Sequence, residues 1–497
     1  MGKSHPFPYP PLDSGQLARG AGRMPRKLTY VDLFAGCGGL SLGLEEAGFE
    51  LALAVEKSPM AAETFFHNFI ETLTDDGAFQ KFVASPLEDQ ARKRLVVNEL
   101  AAVLECTPLL ERLKAQSIDL VAGGPPCQGF SLAGRRDPDD IRNKLPWQFL
   151  DFVAAIEPKA VLIENVSGMR QDFKKRSARS PFDDLRLALE QVGPGYVVQP
   201  ALLNAMHFGV PQHRPRVMLF AIRSDLAVLA GVKGSADMWN STCEESGALL
   251  LNARPALVPG ATHTGDNKLT VADALKDISK AGYNKRACPS AYALEMRAGM
   301  RDGEEPRNHI LRRHAEQTET RFRLYQYLRD AAIAPRVLAI PKQDGTTRRA
   351  MLRHVKLALK GATLPAVAPD ATFLAEDMAG LVQLVMQLGT KKHSQWPLSW
   401  DRPSPTVVSV PDDYVHPSEP RVLTVREMAR LQSFPDHFEF RSKETTGSMR
   451  RRFEVPQYTQ VGNAVPPRLG RAAGESIKAA LISATQQGRR ARAKVAV

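Results

Sequence analysis

The sequence predicts an α/β fold: a mixed sheet entered through a strand–turn–helix–strand unit, with a second, irregular domain behind it. Three observations carry this expectation. First, Leu28 to Phe34 is an apolar, strand-like run, and Ala35-Gly-Cys-Gly-Gly39 is a tight turn. A helix over Leu40 to Gly48 follows, with Leu40, Leu44 and Ala47 on one face, and then a second strand, Glu50 to Val55, ending on Glu56. Second, apolar runs of strand length recur at Ser117 to Ala122, Lys159 to Ile163 and Arg216 to Ile222, each with charged residues, Gly or Pro at its ends. Third, from about 226 to 400 this alternation stops and basic residues gather: Arg348, Arg349, Arg353, Lys356, Lys360, Lys391 and Lys392.

Composition narrows the class. The 497 residues, 43% hydrophobic and 24% charged, can bury a large core and supply two or more domains. A formal charge of +12 points to an anionic partner, nucleic acid ahead of a membrane surface, against the alternative of a merely basic exterior. Five cysteines, at 37, 106, 127, 243 and 288, include no Cys-x-x-Cys pair, which argues for a reducing compartment and against a structural zinc site; no metal is expected. No apolar run reaches the ~18 residues of a membrane helix and no signal-peptide core is present, so a cytoplasmic protein is expected. Residues 1–25, rich in Pro and Gly, read as a disordered arm, with Met24 as a second candidate start; Gly488 to Lys494 reads as a frayed basic tail.

The glycine turn limits the ligand. Gly36-x-Gly-Gly lacks the last glycine of the dinucleotide fingerprint at its usual place, and it has no Gly-Lys-Ser/Thr phosphate loop. An adenosine-type ligand without phosphates fits better, and S-adenosylmethionine is the common one. Glu56, 17 residues after Gly39, stands near the spacing at which an acid takes ribose hydroxyls.

The chemistry centres on Gly123-Gly-Pro-Pro-Cys-Gln-Gly-Phe-Ser131. Prolines end the preceding strand and leave Cys127 at its carboxyl end, where open α/β sheets keep their ligand crevices. A buried structural cysteine is the competing reading. Glu164, after Lys159 to Ile163, and Arg214 and Arg216, before the next strand, are each ordinary surface charges taken singly; around Cys127 they form a candidate set. The charged Gly- and Pro-containing stretch up to Leu145 reads as a loop able to close over substrate. Thr270-Val-Ala-Asp273 opens a helix, and Thr424-Val-Arg-Glu427 has capping-box spacing, with that helix stopped at Phe434-Pro435.

These residues recur in an order that resembles the DNA cytosine-5 methyltransferase family. Asp32-Leu-Phe-Ala-Gly-Cys-Gly-Gly39 resembles its cofactor loop, Gly124-Pro-Pro-Cys127 its nucleophile motif and Glu164-Asn-Val166 its substrate-acid motif. Gln212-x-Arg214-x-Arg216 resembles the arginine motif, Arg421-x-Leu-Thr-x-x-Glu427 with Arg430-Leu-Gln-x-Phe-Pro435 the penultimate block, and Gln460-Val-Gly-Asn-Ala-Val-Pro-Pro467 the last. The blocks cover residues 28 to 224 and 400 to 480.

The resemblance implies a Rossmann-like methyltransferase domain over 26–230, completed by 456–485, a target-recognition domain over 231–455, and a basic tail over 486–497. It implies S-adenosylmethionine held by Asp32, Phe34, Ala35, Gly36, Gly38, Gly39, Leu40, Glu56, Pro125, Asn463 and Val465. Cys127 would add to carbon 6 of cytosine, and Glu164, kept protonated by burial, would meet ring nitrogen 3. Arg216 would hold the ring carbonyl, and Arg214 and Asn165 would position neighbours. Gln128 and Ser131 would lie near the space vacated by a flipped base. Where the family carries an aspartate after strand three to meet the adenine amino group, this reading finds only Phe82-Val-Ala-Ser-Pro-Leu-Glu-Asp89.

The implied partners are double-stranded DNA and a cognate restriction endonuclease acting on the same site, with the chain a monomer. Two alternatives stay open. A transfer-RNA cytosine-5 methyltransferase shares the core but tends to a shorter recognition region than the roughly 170 residues here. A catalytically inactive DNA-binding regulator is opposed by the intact Cys127, Glu164 and Arg216.

Overall fold

The computed structural model describes residues 26–126, 144–170, 180–245, 254–284, 286–339, 348–390, 395–447, 450 and 453–495. Cys127, Gln128, Ser131, the candidate lid and the N-terminal arm lie outside the described residues.

Eight strands make one sheet: β1 Leu28–Leu33, β2 Phe49–Val55, β3 Leu95–Val96, β4 Leu120–Gly123, β5 Ala160–Val166, β6 Tyr196–Asn204, β7 Pro215–Arg223 and β8 Trp239–Asn240. Their order is β3-β2-β1-β4-β5-β7-β6-β8. Only β7 runs against its neighbours, β5 and β6. The central strands are near-continuous Val, Leu, Ile and Ala because helices cover both faces. Tyr30, Leu120 and Ala122 enter one core, with helices Gly39–Glu46 and Pro467–Val495. Val31, Leu33 and Val121 enter the other, with helices Thr107–Gln116, Leu145–Ile156 and Pro181–Gln191.

Three boundaries differ from the sequence expectation. The strand expected from Ser117 begins at Leu120: Ser117 takes a left-handed conformation (φ 52°) to end the preceding helix, and the Asp119 carboxylate is used to accept the Thr29 N–H at 2.8 Å. Phe82 to Asp89 does not follow strand three but precedes it, in helices Asp76–Val83 and Leu87–Arg92; the segment after β3 is Val97-Asn98-Glu99. The basic stretch expected to fray is the end of the helix Pro467–Val495. Its Arg, Ala, Gln and Lys residues are strong helix formers, and cations there face the negative end of the helix dipole.

That last helix returns the chain to its start. Leu469, Ala473 and Ile477 share a core with Leu40, Leu44 and Phe49. The two helices touch backbone to backbone, and a Cβ on Gly43 would lie 2.2 Å from the Pro467 carbonyl oxygen.

Beyond the sheet, the reciprocal capping boxes at Thr270/Asp273 and Thr424/Glu427 form as their spacing predicts. Residues Leu423 to Phe440, which the sequence assigns to the recognition region, pack in one cluster with Cys37, Tyr458 and Val461. A separate cluster, from Phe322 to Val422, forms another apolar core. No helix among the described residues is long and apolar enough to cross a membrane.

Gly43→Ala should lower unfolding free energy by about 1 to 3 kcal/mol, the usual cost of overpacking a close contact. Gly447→Ala, which meets nothing within 4 Å, should be near neutral. Urea unfolding of the two variants makes the comparison.

Candidate functional site

The strand order reverses between β1 and β4, since β1 leads outward to β2 and β3 on one side and β4 to β5 on the other. Crevices outside the carboxyl ends of strands at such a switch point are where α/β sheets bind ligands. Here that edge gathers the ends of β1, β2, β3, β4 and β5. Because β7 is antiparallel, its beginning lies there too, with Val166 opposite Arg216.

On the β1 side, Phe34 is half-buried with φ 62°, and the turn continues through Gly36 (φ 57°) and Gly38 (φ 96°). A Cβ on Gly38 would fall 2.3 Å from the Phe69 ring, so the turn is pressed onto the stacked Phe65–Phe69 pair. Gly36 instead faces open space. Its N–H donates to Glu56 Oε2 at 2.9 Å, while Ser58 N–H donates to Oε1 at 2.7 Å. Burial raises the Glu56 pKa above the usual carboxylate range, with these two backbone donors opposing it. With the Lys57 N–H also lowering its pKa, the carboxylate still keeps acceptor capacity for a ligand.

Ala35 is buried, its N–H bound to the Val55 carbonyl. Asp32 is buried beside the turn: Oδ2 accepts the Ser41 hydroxyl at 2.6 Å, and Oδ1 is buried without a hydrogen-bond partner. Burial, opposed by Ser41, pushes its pKa up to about 7. Gly39 is pinned from the far end of the chain, where the Val465 carbonyl oxygen would lie 2.3 Å from an added Cβ. Val465 is buried, and Asn463 is exposed at the end of the helix Gln457–Asn463. The Leu40 side chain is in the core with Leu44 and Leu469, so only its backbone at the helix start can face a ligand. At the end of β3, Asn98 and Glu99 are exposed, with Glu99 paired to Lys57 at 2.6 Å. Sequence reasoning missed both, and the only signal was the short apolar run Leu95-Val-Val97.

On the β4 side, Gly124 runs so close under Glu164 that a Cβ would meet Oε2 at 2.8 Å. Asn165 donates through Nδ2 to the Pro125 carbonyl at 3.0 Å, fixing the backbone that leads into Cys127. Arg216 Nε pairs with Glu164 Oε1 at 2.8 Å, and both side chains are largely buried. The sheet register explains the pair. Glu164 and Val166 point to the same face, Arg216 lies opposite Val166, and its side chain reaches diagonally across.

Arg214 does not join them. Its guanidinium is 1% exposed and donates to the carbonyls of Val407 (3.1 Å), Gly462 (2.8 Å) and Ala464 (3.0 Å). Burial, and then the nearby Arg216, push its pKa well below the usual arginine range. Its donors are spent on the backbone of later segments, so the neighbours it positions are those segments. Cys37 is inert by position: burial pushes its thiol up to about 12. Among the described residues no His, Cys, Asp and Glu cluster could hold a metal ion.

Asp32 makes a pH prediction. An acid whose pKa is raised by folding gives stability that is fully present below its unfolded value near 4 and lost as pH rises through about 7. Asp32→Asn should therefore flatten the stability profile between pH 4 and 7, by roughly 2 to 4 kcal/mol relative to the parent. Chemical unfolding at a series of pH values reads the difference, and parallel profiles would remove the buried Asp32 charge from the account.

The model of the C-5 cytosine-specific DNA methylase family matches residues 28–479. The Type II methyltransferase M.AgeI of Thalassovita gelatinovora is 30% identical over 486 residues, covering 91% of this chain and 99% of that protein. M.DdeI of Desulfomicrobium norvegicum is 28% identical over 458 residues, 90% and 88% of the two chains. Among solved structures, a putative DNA modification methyltransferase encoded within a prophage (E. coli) superposes with a TM-score of 0.50 at 23% identity, over 91% of this chain and 98% of that one. The last likeness concerns the fold.

Proposed function

Since the chain belongs to the C-5 cytosine-specific DNA methylase family and is a DNA cytosine-5 methyltransferase, we propose that it methylates carbon 5 of a cytosine flipped out of duplex DNA at one specific sequence. It would act as the modification enzyme of a restriction–modification system, with a cognate endonuclease cutting the same site. The observation that carries the reading is the Glu164–Arg216 pair lying over Gly124, just before the Pro-Pro-Cys127 motif.

Carbon 5 of cytosine is a weak nucleophile, and a reversible addition at carbon 6 activates it. Cys127 is the group to add; a thiolate is the attacking form, and it forms the sulfur–carbon 6 bond. Electron density then moves toward nitrogen 3, where the Glu164 carboxyl donates a proton, while Arg216 donates to the ring carbonyl. S-adenosylmethionine, when bound, supplies an electrophilic methyl group on a sulfonium. Once carbon 5 carries the methyl group, nitrogen 3 returns its proton to the Glu164 carboxylate, and loss of the carbon 5 proton to water with departure of the Cys127 thiolate restores the aromatic ring. Asn165 serves this sequence indirectly by holding Pro125. Base flipping costs a few kcal/mol, and Gln128 and Ser131 are the residues we assign to the vacated space.

The β1 turn suits the cofactor. Gly36 has open space beside it and the Phe34 ring of the same turn is half-buried, while the buried Asp32 Oδ1 has no hydrogen-bond partner among the described residues. Phe34 would pack on the adenine, Glu56 would accept the ribose hydroxyls, and Asn98 takes over the adenine amino contact that the helical Phe82 to Asp89 segment cannot supply. The backbone at Gly38, Gly39 and Leu40, with Pro125, Asn463 and Val465, would close the site.

Bisulfite sequencing of DNA from cells expressing the chain should show one methylated sequence context, and DNA without such a context would overturn the proposal. Cys127→Ala should abolish methylation while cofactor binding persists; a variant that still methylates would exclude the covalent route. Glu56→Ala should weaken cofactor binding by about 1 to 3 kcal/mol, the range for hydrogen bonds to a charged group. Titration calorimetry checks it.

A further inference from the structure

The helix Arg348–Ala358 belongs to the cluster between Phe322 and Val422, and it is attached by one side only. Val355, and Leu359 just beyond its end, are buried in that core. Arg349, Arg353, Lys356 and Lys360 are exposed. At 3.6 residues per turn, Arg349, Arg353 and Lys356 fall within an arc of about 60°, and Lys360 lies in the turn just past the helix end. The stretch 345–369 holds five basic residues and no acidic one, so the helix itself supplies no neutralising charge to this face. Like charges at these spacings repel on a helix, which is a cost to folding.

Other arginines of the same unit behave differently. Arg323 pairs with Asp370 at 2.7 Å, Arg321 donates to the Leu388 carbonyl at 2.8 Å, and Arg329 donates to the carbonyls of Leu398 and Pro417. Those cations hold the fold, whereas the four on the outer face make no ion pair or hydrogen bond among the described residues. A cost kept in the folded chain without a structural return points to an anion outside it.

We propose that this face is a DNA-backbone contact, in which Arg349, Arg353, Lys356 and Lys360 neutralise successive phosphates of one strand. The inference rests on the reading that duplex DNA is the substrate. Arg349 to Lys356 spans about 10 Å of helix, and a DNA strand presents one phosphate per ~3.4 Å of axis, so the stripe covers about three phosphates. Such contacts set the register of the recognition region and carry no sequence information themselves.

The test is the salt dependence of binding. Each phosphate contact contributes about 0.9 to the slope of log affinity against log salt concentration. The variant Arg349→Gln/Arg353→Gln/Lys356→Gln should reduce that slope by about 2.7 for a fluorescent duplex with or without the target sequence, while the methylated sequence and S-adenosylmethionine affinity stay unchanged. Arg349→Lys/Arg353→Lys, which keeps the charge, should keep the slope. Should the triple variant misfold, Arg353→Gln alone should still remove about 0.9. A folded variant with the parent's slope, in a chain that binds and methylates DNA, overturns the stripe alone. A parent chain with no affinity for duplex DNA overturns both readings.

Discussion

One buried guanidinium ties the sheet to the later blocks of this protein. Arg214 leaves the sheet at the start of β7 and is bound by three carbonyls, 193 to 250 residues further along the chain. Burying an unpaired cation costs several kcal/mol. Hydrogen bonds to a charged group return roughly 1.5 to 3 kcal/mol each, so the arrangement is favourable only with all three in place. The neighbouring Gln212 extends the tie: its amide donates to Leu431 and Gln432, and its carbonyl oxygen accepts the Val407 N–H. Gln432 in turn donates to the Val461 carbonyl. The glycine turn after β1 therefore reaches its final shape only when the last block has docked, because Gly39 packs against Val465 and Cys37 donates to the Gln460 carbonyl. The switch-point crevice is built from both ends of the sequence.

The same economy governs the block before it. Arg421 grips Glu427 with two donors, at 2.7 and 2.6 Å, and Arg430 bridges Asp436 and Asp277. Burial would raise the Glu427 pKa, but the attraction of Arg421 overrides it and holds the carboxyl at about 2. Arg426 has no such close partner and donates to the carbonyls of Arg307, Pro435 and Phe438; burial pushes its pKa down to about 10. Buried pairs of this kind add little over well-packed apolar residues, yet losing one partner typically costs 3 to 5 kcal/mol. They pin a loop whose Phe434 and Phe438 pack beside the glycine turn after β1. Order in that loop is thus order in the crevice.

Most of the sheet was legible because apolar runs bounded by glycine, proline and charge have few other uses, and the capping boxes at Thr270 and Thr424 are local chemistry. β3 was not legible. It is a two-residue strand between a helix that ends at left-handed Arg94 and the exposed Asn98, with no period to detect. The error moved a functional assignment, since the segment sought after strand three was taken from the helices before it. Arg214 was read as positioning its neighbours, but which neighbours was not legible. Its partners are backbone carbonyls, invisible in sequence, and they arrive from far along the chain. Asn165 was read as positioning its neighbours, but which neighbour, the Pro125 carbonyl, required the folded register of β4 and β5.

Arginine thus does two opposed things in this chain, and the partner inventory separates them where residue type does not. Arg214, Arg421, Arg426 and Arg430 are buried, and each finds its acceptors inside the protein. Arg349 and Arg353 are exposed on a helix that turns its apolar side to a separate core. Removing a cation of the first kind leaves buried carbonyls or carboxylates unpaired, and the cost falls on folding. Removing one of the second kind relieves repulsion within the helix, and the loss falls on an external anion. On the proposed mechanism the chemistry is the same whatever sequence flanks the cytosine, so the tied arginines hold the crevice while the untied ones are left for an anion outside the chain.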